Sequence, residues 1–276
     1  MHIDDDSFMQ IVSIVTQKTG IIPRESHSKG IRLYVEKRIE AVGASSVAEY
    51  LNIIMTNQEE LVALINESTV NETYFFREEK QFIIVRDKIF PEWVARNGSK
   101  PLRIWSAACS SGEEAYSLLL LAKACRLSSV ITASDIDTNM LTLCSQGEYR
   151  ERSKRNGDGQ IFHYLLEPFT EYNGGVYFSE EMKGLINTRQ INLAALDKTP
   201  PGVLPQMQDL IFIRNVFIYF SMELRAVILK VLAEKCLAPG GYLFISMNEI
   251  ASIDTGIIPA GLEKCSDGSV FYFRKK

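Results

Sequence analysis

The first hundred residues place apolar side chains at helical spacing and show almost no strand pattern. Apolar residues at i, i+3, i+4 and i+7 begin at Phe8, behind an acidic first turn that suits a helix N-terminus, and Gly20 with Pro23 ends this helix. Asn57 is a predicted N-cap, and Glu60 completes its capping box. The same spacing predicts further helices over 28–42, 47–55 and 78–96. We therefore expect an all-helical N-terminal domain over 1–76.

Strands alternate with helices after Pro101. Short apolar runs predict strands over 103–108, 130–134, 209–214 and 242–246, with helices that end near 126 and span 222–235. This alternation indicates an α/β domain over 77–276 with a parallel sheet and right-handed crossovers. Asp267-Gly268 predicts a terminal antiparallel hairpin. A segment over about 168–190, with two adjacent glycines, interrupts the alternation, and we expect it to form a small β insertion.

Charge, histidine and cysteine content narrow the classes of protein. Among 276 residues, 30 Lys and Arg stand against 34 Asp and Glu, a net charge of −4, which argues against a nucleic-acid partner. The three histidines are far apart and the five cysteines form no C-x-x-C pair, so we expect no metal site and no disulfide framework. An acidic N-terminus and the lack of an apolar run of ~18 residues predict a cytoplasmic protein without membrane insertion.

The turn after the first α/β strand carries the first chemical signal. Residues 107–112 are small, so a ligand can approach the backbone, but they do not form the G-x-G-x-x-G motif of dinucleotide sites. Glu113 and Glu114 follow, and two interpretations stay open: they attract a cationic ligand, or they only complement the helix dipole. Asp135 ends the next strand, 23 residues after Gly112, where an acid can accept hydrogen bonds from ribose hydroxyls. Together these features suggest a site for S-adenosylmethionine.

Five longer strings make a family recognisable. They are TVNETYFFRE at 69–78, WSAACSSGEE at 105–114, ASDID at 133–137, QINL at 190–193 and DLIFIRNVFIYF at 209–220. In this order and spacing the chain resembles the chemotaxis receptor methyltransferases, S-adenosylmethionine-dependent enzymes that esterify receptor glutamates. The resemblance covers nearly the whole chain. It implies a Rossmann-like methyltransferase sheet, S-adenosylhomocysteine as product, and the cytoplasmic domain of methyl-accepting chemoreceptors as partner.

The resemblance also implies roles for individual residues. It places cofactor-binding side chains at Asn71, Thr73, Arg77, Glu114, Asp135, Asn192, Leu193, Arg214 and Asn215. Glu114 would lie near the methionyl amino group, Asp135 at the ribose, and Asn192 with Leu193 near the adenine. Arg77 and Tyr219 would position the acceptor carboxylate, although Tyr219 suits a core tyrosine equally well, and Phe75 and Phe76 are expected to be core. The chain departs from the family at Ser246-Met247-Asn248-Glu249, where Gly-His-Ser-Glu is common.

A glutamate acceptor agrees with the scarcity of histidine. Its carboxyl, with a pKa of ~4.3, is ionised at pH 7 and needs no base, whereas a lysine acceptor at ~10.4 would cost roughly 4 kcal/mol to deprotonate. Cations outnumber acids between residues 24 and 38, so either Lys29, Arg32, Lys37 and Arg38 face an acidic receptor surface or this is an ordinary solvated helix face. Two other functions stay open: a cofactor-sensing module without transfer, and a carboxyl methyltransferase with another protein substrate.

Overall fold

Four amphipathic helices form the N-terminal part of the chain. The structure is a computed structural model that describes residues 3–200 and 202–276, with Ser26 described by its backbone only. The helices are α1 (Asp5–Thr19), α2 (Glu25–Ala41), α3 (Val47–Thr56) and α4 (Gln58–Glu67). The Asp4 side chain caps α1, and Gly20 ends it at a φ of 71°. Their apolar faces meet in a core that includes Phe8, Ile31 and Tyr50, so the predicted helical region is confirmed, with α2 beginning earlier than expected.

The predicted capping box at α4 is only half present. The Asn57 side chain accepts hydrogen bonds from the Glu59 and Glu60 amides, as expected for an N-cap. The Glu60 carboxylate, however, does not return to the Asn57 amide, which donates to the Ile53 carbonyl instead. Glu60 is buried and accepts from Arg38 Nε (3.0 Å) and Tyr50 Oη (2.9 Å). Because a buried carboxylate needs strong partners, Glu60 binds the Arg38 guanidinium of α2 and not the backbone amide of Asn57.

A seven-stranded sheet forms the centre of the remaining chain. Its strands run in the order β5, β2, β1, β6, β7, β9, β8; the first five are parallel, and β9 and β8 form an antiparallel hairpin. They span β1 (Leu102–Ala107), β2 (Ser129–Asp135), β5 (Ile186–Gln190), β6 (Gln208–Ile213), β7 (Leu237–Phe244), β8 (Leu262–Asp267) and β9 (Val270–Lys275), with a separate pair β3 (Glu148–Tyr149) and β4 (Val176–Tyr177). This confirms the α/β Rossmann-like class with its terminal hairpin.

Helices cover both faces of the sheet and bury its apolar side chains. They are α5 (Glu79–Ile84), continued by a π-helical turn (Val85–Ile89) into α6 (Phe90–Asn97), then α7 (Glu113–Ala124), α8 (Thr138–Gln146), α9 (Glu180–Lys183), α10 (Met222–Val231) and α11 (Met247–Ala251). One core gathers Phe82, Leu118 and Phe212, and the other Trp105, Ile211 and Leu229. Within the described residues, no helix is both long and apolar enough to cross a membrane.

The small β insertion exists, but its predicted limits are wrong. Its two strands, β3 and β4, pair antiparallel, so one of them lies before residue 168. Residues 186–190, assigned to the insertion from sequence, form β5 and pair parallel with β2 at the edge of the large sheet. Phe75 and Phe76 are fully buried, as expected, yet they pack in the α/β core with Tyr149 and Phe162. This packing favours a domain boundary before Phe75.

Candidate functional site

One cavity lies beyond the carboxyl ends of β1, β2 and β6, where an open parallel sheet binds its ligands. All ten residues predicted for cofactor or acceptor line it: Asn71, Thr73, Arg77, Glu114, Asp135, Asn192, Leu193, Arg214, Asn215 and Tyr219. Thr19, the last residue of α1, and Ile21, between α1 and α2, also line the cavity, and sequence reasoning missed both. None of the described lining residues is a histidine.

The turn after β1 presents its backbone to this cavity. Ala108, Ser110 and Gly112 all have positive φ, at 61°, 49° and 97°. A Cβ at Gly112 would overlap the Cys144 side chain, so this position requires glycine both for its backbone conformation and for space. The Ser110 amide donates to Asp135 Oδ2 (2.8 Å), which joins the turn to the end of β2. The small side chains of residues 107–112 therefore allow this loop to fold tightly.

Asp135 is a buried carboxylate at the wall of the cavity. Its Oδ1 accepts from the Asp137 amide (3.0 Å) and its Oδ2 from the Ser110 amide. Burial raises its pKa to about 6, while these backbone hydrogen bonds act in the opposite direction. Each carboxylate oxygen can accept a further hydrogen bond, so Asp135 remains able to receive hydroxyl donors from a ligand.

Glu114 and Arg214 form a buried ion pair across the cavity floor. Arg214 Nε donates to Glu114 Oε2 (2.6 Å), and Ser106 Oγ donates to Glu114 Oε1 (2.6 Å). Arg214 Nη1 donates further to the Arg77 carbonyl (2.7 Å) and to Gln81 Oε1 (2.9 Å). The resemblance implied that Glu114 lies near the methionyl amino group of the cofactor. In the structure both of its oxygens already have partners, so any ligand amine would share a carboxylate that also holds Arg214.

Asp137 connects the linker after α4 to the sheet, a role that sequence reasoning missed. Its Oδ2 accepts from Thr69 Oγ1 (2.6 Å) and Asn71 Nδ2 (2.9 Å), and its Oδ1 caps α8. The Asn71 amide group, predicted to face the cofactor, is thus partly engaged within the protein. The only sequence signal was the acid two positions after Asp135.

The end of α1 contacts the part of the cavity where the resemblance predicts the adenine. Asn192 Nδ2 donates to the Lys18 carbonyl at the end of α1 (2.6 Å), and its Oδ1 accepts from the Ala194 amide. A Cβ at Gly20 would overlap Leu224, so the chain after α1 sits directly on the α/β domain. This contact between the end of α1 and the α/β domain brings Thr19 and Ile21 to the cavity.

Glu249 supports the turn after β6 and belongs to the string 246–249, which departs from the pattern of the resembled family. Its carboxylate accepts from the Asn215 amide (2.8 Å), the Ile218 amide (3.1 Å) and Ser246 Oγ (2.8 Å). Burial raises the pKa of Glu249, and those donors act in the opposite direction. Asn215 has a φ of 57°, a conformation that asparagine tolerates better than most residues. Ser246 and Glu249 therefore hold the turn that carries Asn215 and Tyr219.

The four cations predicted to face a receptor differ in their contacts within the protein. Arg32 donates to the Ile3 carbonyl (2.6 Å) and pairs with Asp5 at the start of α1. Arg38 pairs with the buried Glu60 of α4. Both therefore join helices of the N-terminal part, whereas Lys29 and Lys37 are exposed.

Comparison with known proteins agrees with this architecture. Residues 71–257 match the family model described as CheR methyltransferase, SAM binding domain. A chemotaxis protein methyltransferase of Escherichia coli (strain K12) is 32% identical over 90% of this chain and 86% of its own length. A protein of the same description from Vibrio parahaemolyticus is 32% identical over 90% of each chain. Chemotaxis protein methyltransferase 1 of Pseudomonas aeruginosa is 30% identical over 87% of this chain and 89% of its own.

Proposed function

Because this chain belongs to the CheR methyltransferase family and is an S-adenosylmethionine-dependent methyltransferase, we propose that it esterifies glutamate side chains of chemoreceptors. The observation that carries this proposal is the composition of the cavity. Arg77 and Tyr219 line it together with the buried Asp135, and none of the described lining residues is a histidine that could act as a base. The proposed partner is the cytoplasmic domain of methyl-accepting chemoreceptors, which would place the reaction in the cytoplasm.

The cavity suits the cofactor by the chemistry of its groups. Asp135 offers carboxylate oxygens to ribose hydroxyls, and the turn from Ala108 to Gly112 lets a ligand lie close to the backbone. Leu193 and Ile21, which line the cavity beside Asn192, offer apolar contacts to the adenine ring of the cofactor. When bound, S-adenosylmethionine supplies a methyl group made electrophilic by its sulfonium centre. We propose that Asn71, Thr73, Arg77, Glu114, Arg214 and Asn215 complete its site.

The residues at the acceptor side have to orient a nucleophile that is already ionised. A glutamate carboxylate loses no proton in the reaction, so a positioned base would add nothing. Arg77 is fixed by its donation to the Glu72 carbonyl (2.6 Å) and lies over the Tyr74 ring. It can hold one carboxylate oxygen by a charge-assisted bond while Tyr219 borders the other side. Orientation of this kind lowers a barrier by about 7–11 kcal/mol in the best intramolecular cases.

A labelling experiment tests the function. The chain is incubated with methyl-labelled S-adenosylmethionine and membranes that contain chemoreceptors, and the receptor band is treated with base. Base-labile label on receptors supports the proposal. Label on another protein indicates a carboxyl methyltransferase with a different substrate, and cofactor binding without label indicates a sensing module.

Arg77 has a matched control within the same contact. Arg155 also lies over the Tyr74 ring, at 4.9 Å against 5.5 Å for Arg77, and pairs with Glu72, but it does not line the cavity. We expect Arg77→Ala to reduce turnover at least tenfold, and Arg155→Ala to leave it within about twofold. Normal turnover of Arg77→Ala would show that this residue does not position the acceptor.

Lys29 and Lys37 have a secondary role in the proposed interaction with the receptor. Both are exposed on α2, and exposed cations can raise the rate of encounter with an acidic partner. We propose that they contribute in this way, while Arg32 and Arg38 contribute through the stability of the helices they join.

A further inference from the structure

The side-chain amide of Asn71 is divided between the protein and the cavity. Its nitrogen, Nδ2, donates to Asp137 Oδ2 (2.9 Å) and to Thr69 Oγ1 (2.9 Å), and these two bonds use both of its hydrogens. Among the described residues, none donates a hydrogen bond to the amide oxygen, Oδ1. Asn71 lines the cavity. The oxygen is therefore the part of this amide that can accept a hydrogen bond from a bound ligand.

Asp137 determines the direction of the Asn71 amide. Its carboxylate is buried and, when ionised, can only accept hydrogen bonds, so it binds the nitrogen of Asn71 and not the oxygen. Without such a partner the amide of an asparagine can reverse at little cost, because its last torsion is soft and its two ends have nearly the same size. The backbone of Asn71 is held as well, since its carbonyl accepts from Ser110 Oγ (3.3 Å). Asn71 is thus preorganised both in its position and in the direction of its amide.

We propose that Asp137 is a positioning residue, which directs the Asn71 amide so that its oxygen accepts a hydrogen bond from S-adenosylmethionine. This inference rests on the proposed place of Asn71 in the cofactor site. The cofactor has donors in its ammonium group, its ribose hydroxyls and its adenine amine. A reversed amide would present its own N–H groups to such a donor, and two donors that face each other both stay unpaired. Asp137 does not line the cavity itself, so it acts through Asn71.

The test has to preserve a second function of Asp137. Its other oxygen, Oδ1, accepts from the amides of Asn139 (2.9 Å) and Met140 (3.2 Å) and so caps α8. Asparagine is about as good an N-cap as aspartate, so Asp137→Asn can keep this cap while an NH2 group replaces Oδ2. Thr69 can adapt to the new group, because a hydroxyl accepts as well as donates. The Nδ2 group of Asn71 cannot adapt, and we expect its amide to reverse.

The experiment measures the binding of S-adenosylmethionine to the full chain by calorimetry, without an acceptor. We expect Asp137→Asn to raise the Kd at least tenfold and to leave the urea midpoint of unfolding nearly unchanged. The double variant Asn71→Asp/Asp137→Asn exchanges the two side chains, so that an NH2 group again meets a carboxylate oxygen and an oxygen again faces the cavity. It should return the Kd to within about threefold of wild type. Asn71→Asp alone places two carboxylates together and should bind weakly.

Two further variants control for the change in the cap. Asp4→Asn is the matched control, because Asp4 is the N-cap of α1 and its side chain accepts from the Ser7 amide. It should leave the Kd within about twofold. Asp137→Ser keeps a preferred cap residue, but serine is one bond shorter than aspartate and loses the contact with Asn71. We expect the same rise in Kd from it, and it decides the question if Asp137→Asn does not fold.

The possible failures can be told apart. A wild-type Kd for Asp137→Asn, or a double variant that binds no better than the single variants, would overturn the role of Asp137. A residue that only supported the fold would not show recovery in the double variant. A wild-type Kd for Asn71→Ala would instead refute the place of Asn71 in the cofactor site. The proposed esterification of receptors is tested separately by labelling, and its failure would not change these binding constants.

Discussion

Loss of either partner of the Glu114–Arg214 pair should destabilise the chain far more than an exposed pair would. Arg214→Met removes the 2.6 Å bond to Glu114 and the bonds to the Arg77 carbonyl and to Gln81. The Glu114 carboxylate would remain, 9% exposed, with Ser106 as its hydrogen-bond donor. Removing one member of a buried ion pair typically costs about 3–5 kcal/mol, because the other charge stays buried without compensation. We expect a loss in this range for Arg214→Met.

A double-mutant cycle separates the pair from the other contacts of each residue. Glu114→Gln keeps the shape of the side chain and should cost about 2–3 kcal/mol, since Arg214 keeps the Arg77 carbonyl, Gln81 and the Glu78 carboxylate at 3.7 Å. The double variant should cost less than the sum of the single variants, with a coupling of at least about 2 kcal/mol. Urea unfolding can be followed by the fluorescence of Trp93 and Trp105, both of which are buried.

The comparison needs an exposed pair of similar length. Lys183 and Glu180 meet at 2.8 Å, with the Glu180 side chain 91% exposed, so Glu180→Gln should cost less than about 1 kcal/mol. Single losses at Glu114 and Arg214 as small as this, and additive in the double variant, would refute the argument that burial makes their interaction strong.

Three further changes probe other parts of the cavity. Gly112→Ala should raise the Kd for S-adenosylmethionine at least tenfold, as measured by calorimetry. Gly157→Ala is the control, because Gly157 has a similar φ of 90° but lies in open space, and it should leave the Kd unchanged. Burial raises the pKa of Asp135 to about 6, so cofactor affinity should be constant above pH 7 and fall as pH decreases through about 6; Asp135→Asn should bind weakly without this pH dependence. Glu249→Gln should lower the free energy of unfolding by about 2–3 kcal/mol, because an amide cannot replace all three acceptor contacts; an unchanged urea midpoint would contradict this.

The sequence predicted which residues surround the cavity, but not how they are engaged. Local strings place Glu114 at the start of α7, just after β1, and Arg214 at the end of β6, and parallel strands bring these two ends together. Their pairing joins positions 100 residues apart and depends on side-chain direction in the folded core. The same holds for Arg32 and Arg38, whose acidic partners lie on other helices. Periodicity shows that a charge is present, whereas its partner is a property of packing.

The misplaced limit of the β insertion has a different cause. β5 reads Ile-Asn-Thr-Arg-Gln, and it has only one buried residue because it lies at the edge of the sheet. Edge strands lack the apolar run that marks a central strand such as β6. The pattern that identified the inner strands was therefore absent from β5, although its register with β2 is regular.

The charges of the cavity fall into two groups, and the division suits the reaction. Glu114, Arg214, Asp137 and Glu249 are buried and form hydrogen bonds with one another, with neighbouring side chains or with the backbone, so they fix the walls. Arg77, which lines the cavity, is the cation that we propose for the acceptor. An acceptor that is already ionised requires placement rather than proton transfer. For the proposed reaction, rigid walls and a cation in the lining would provide this placement, and a histidine base would have no role.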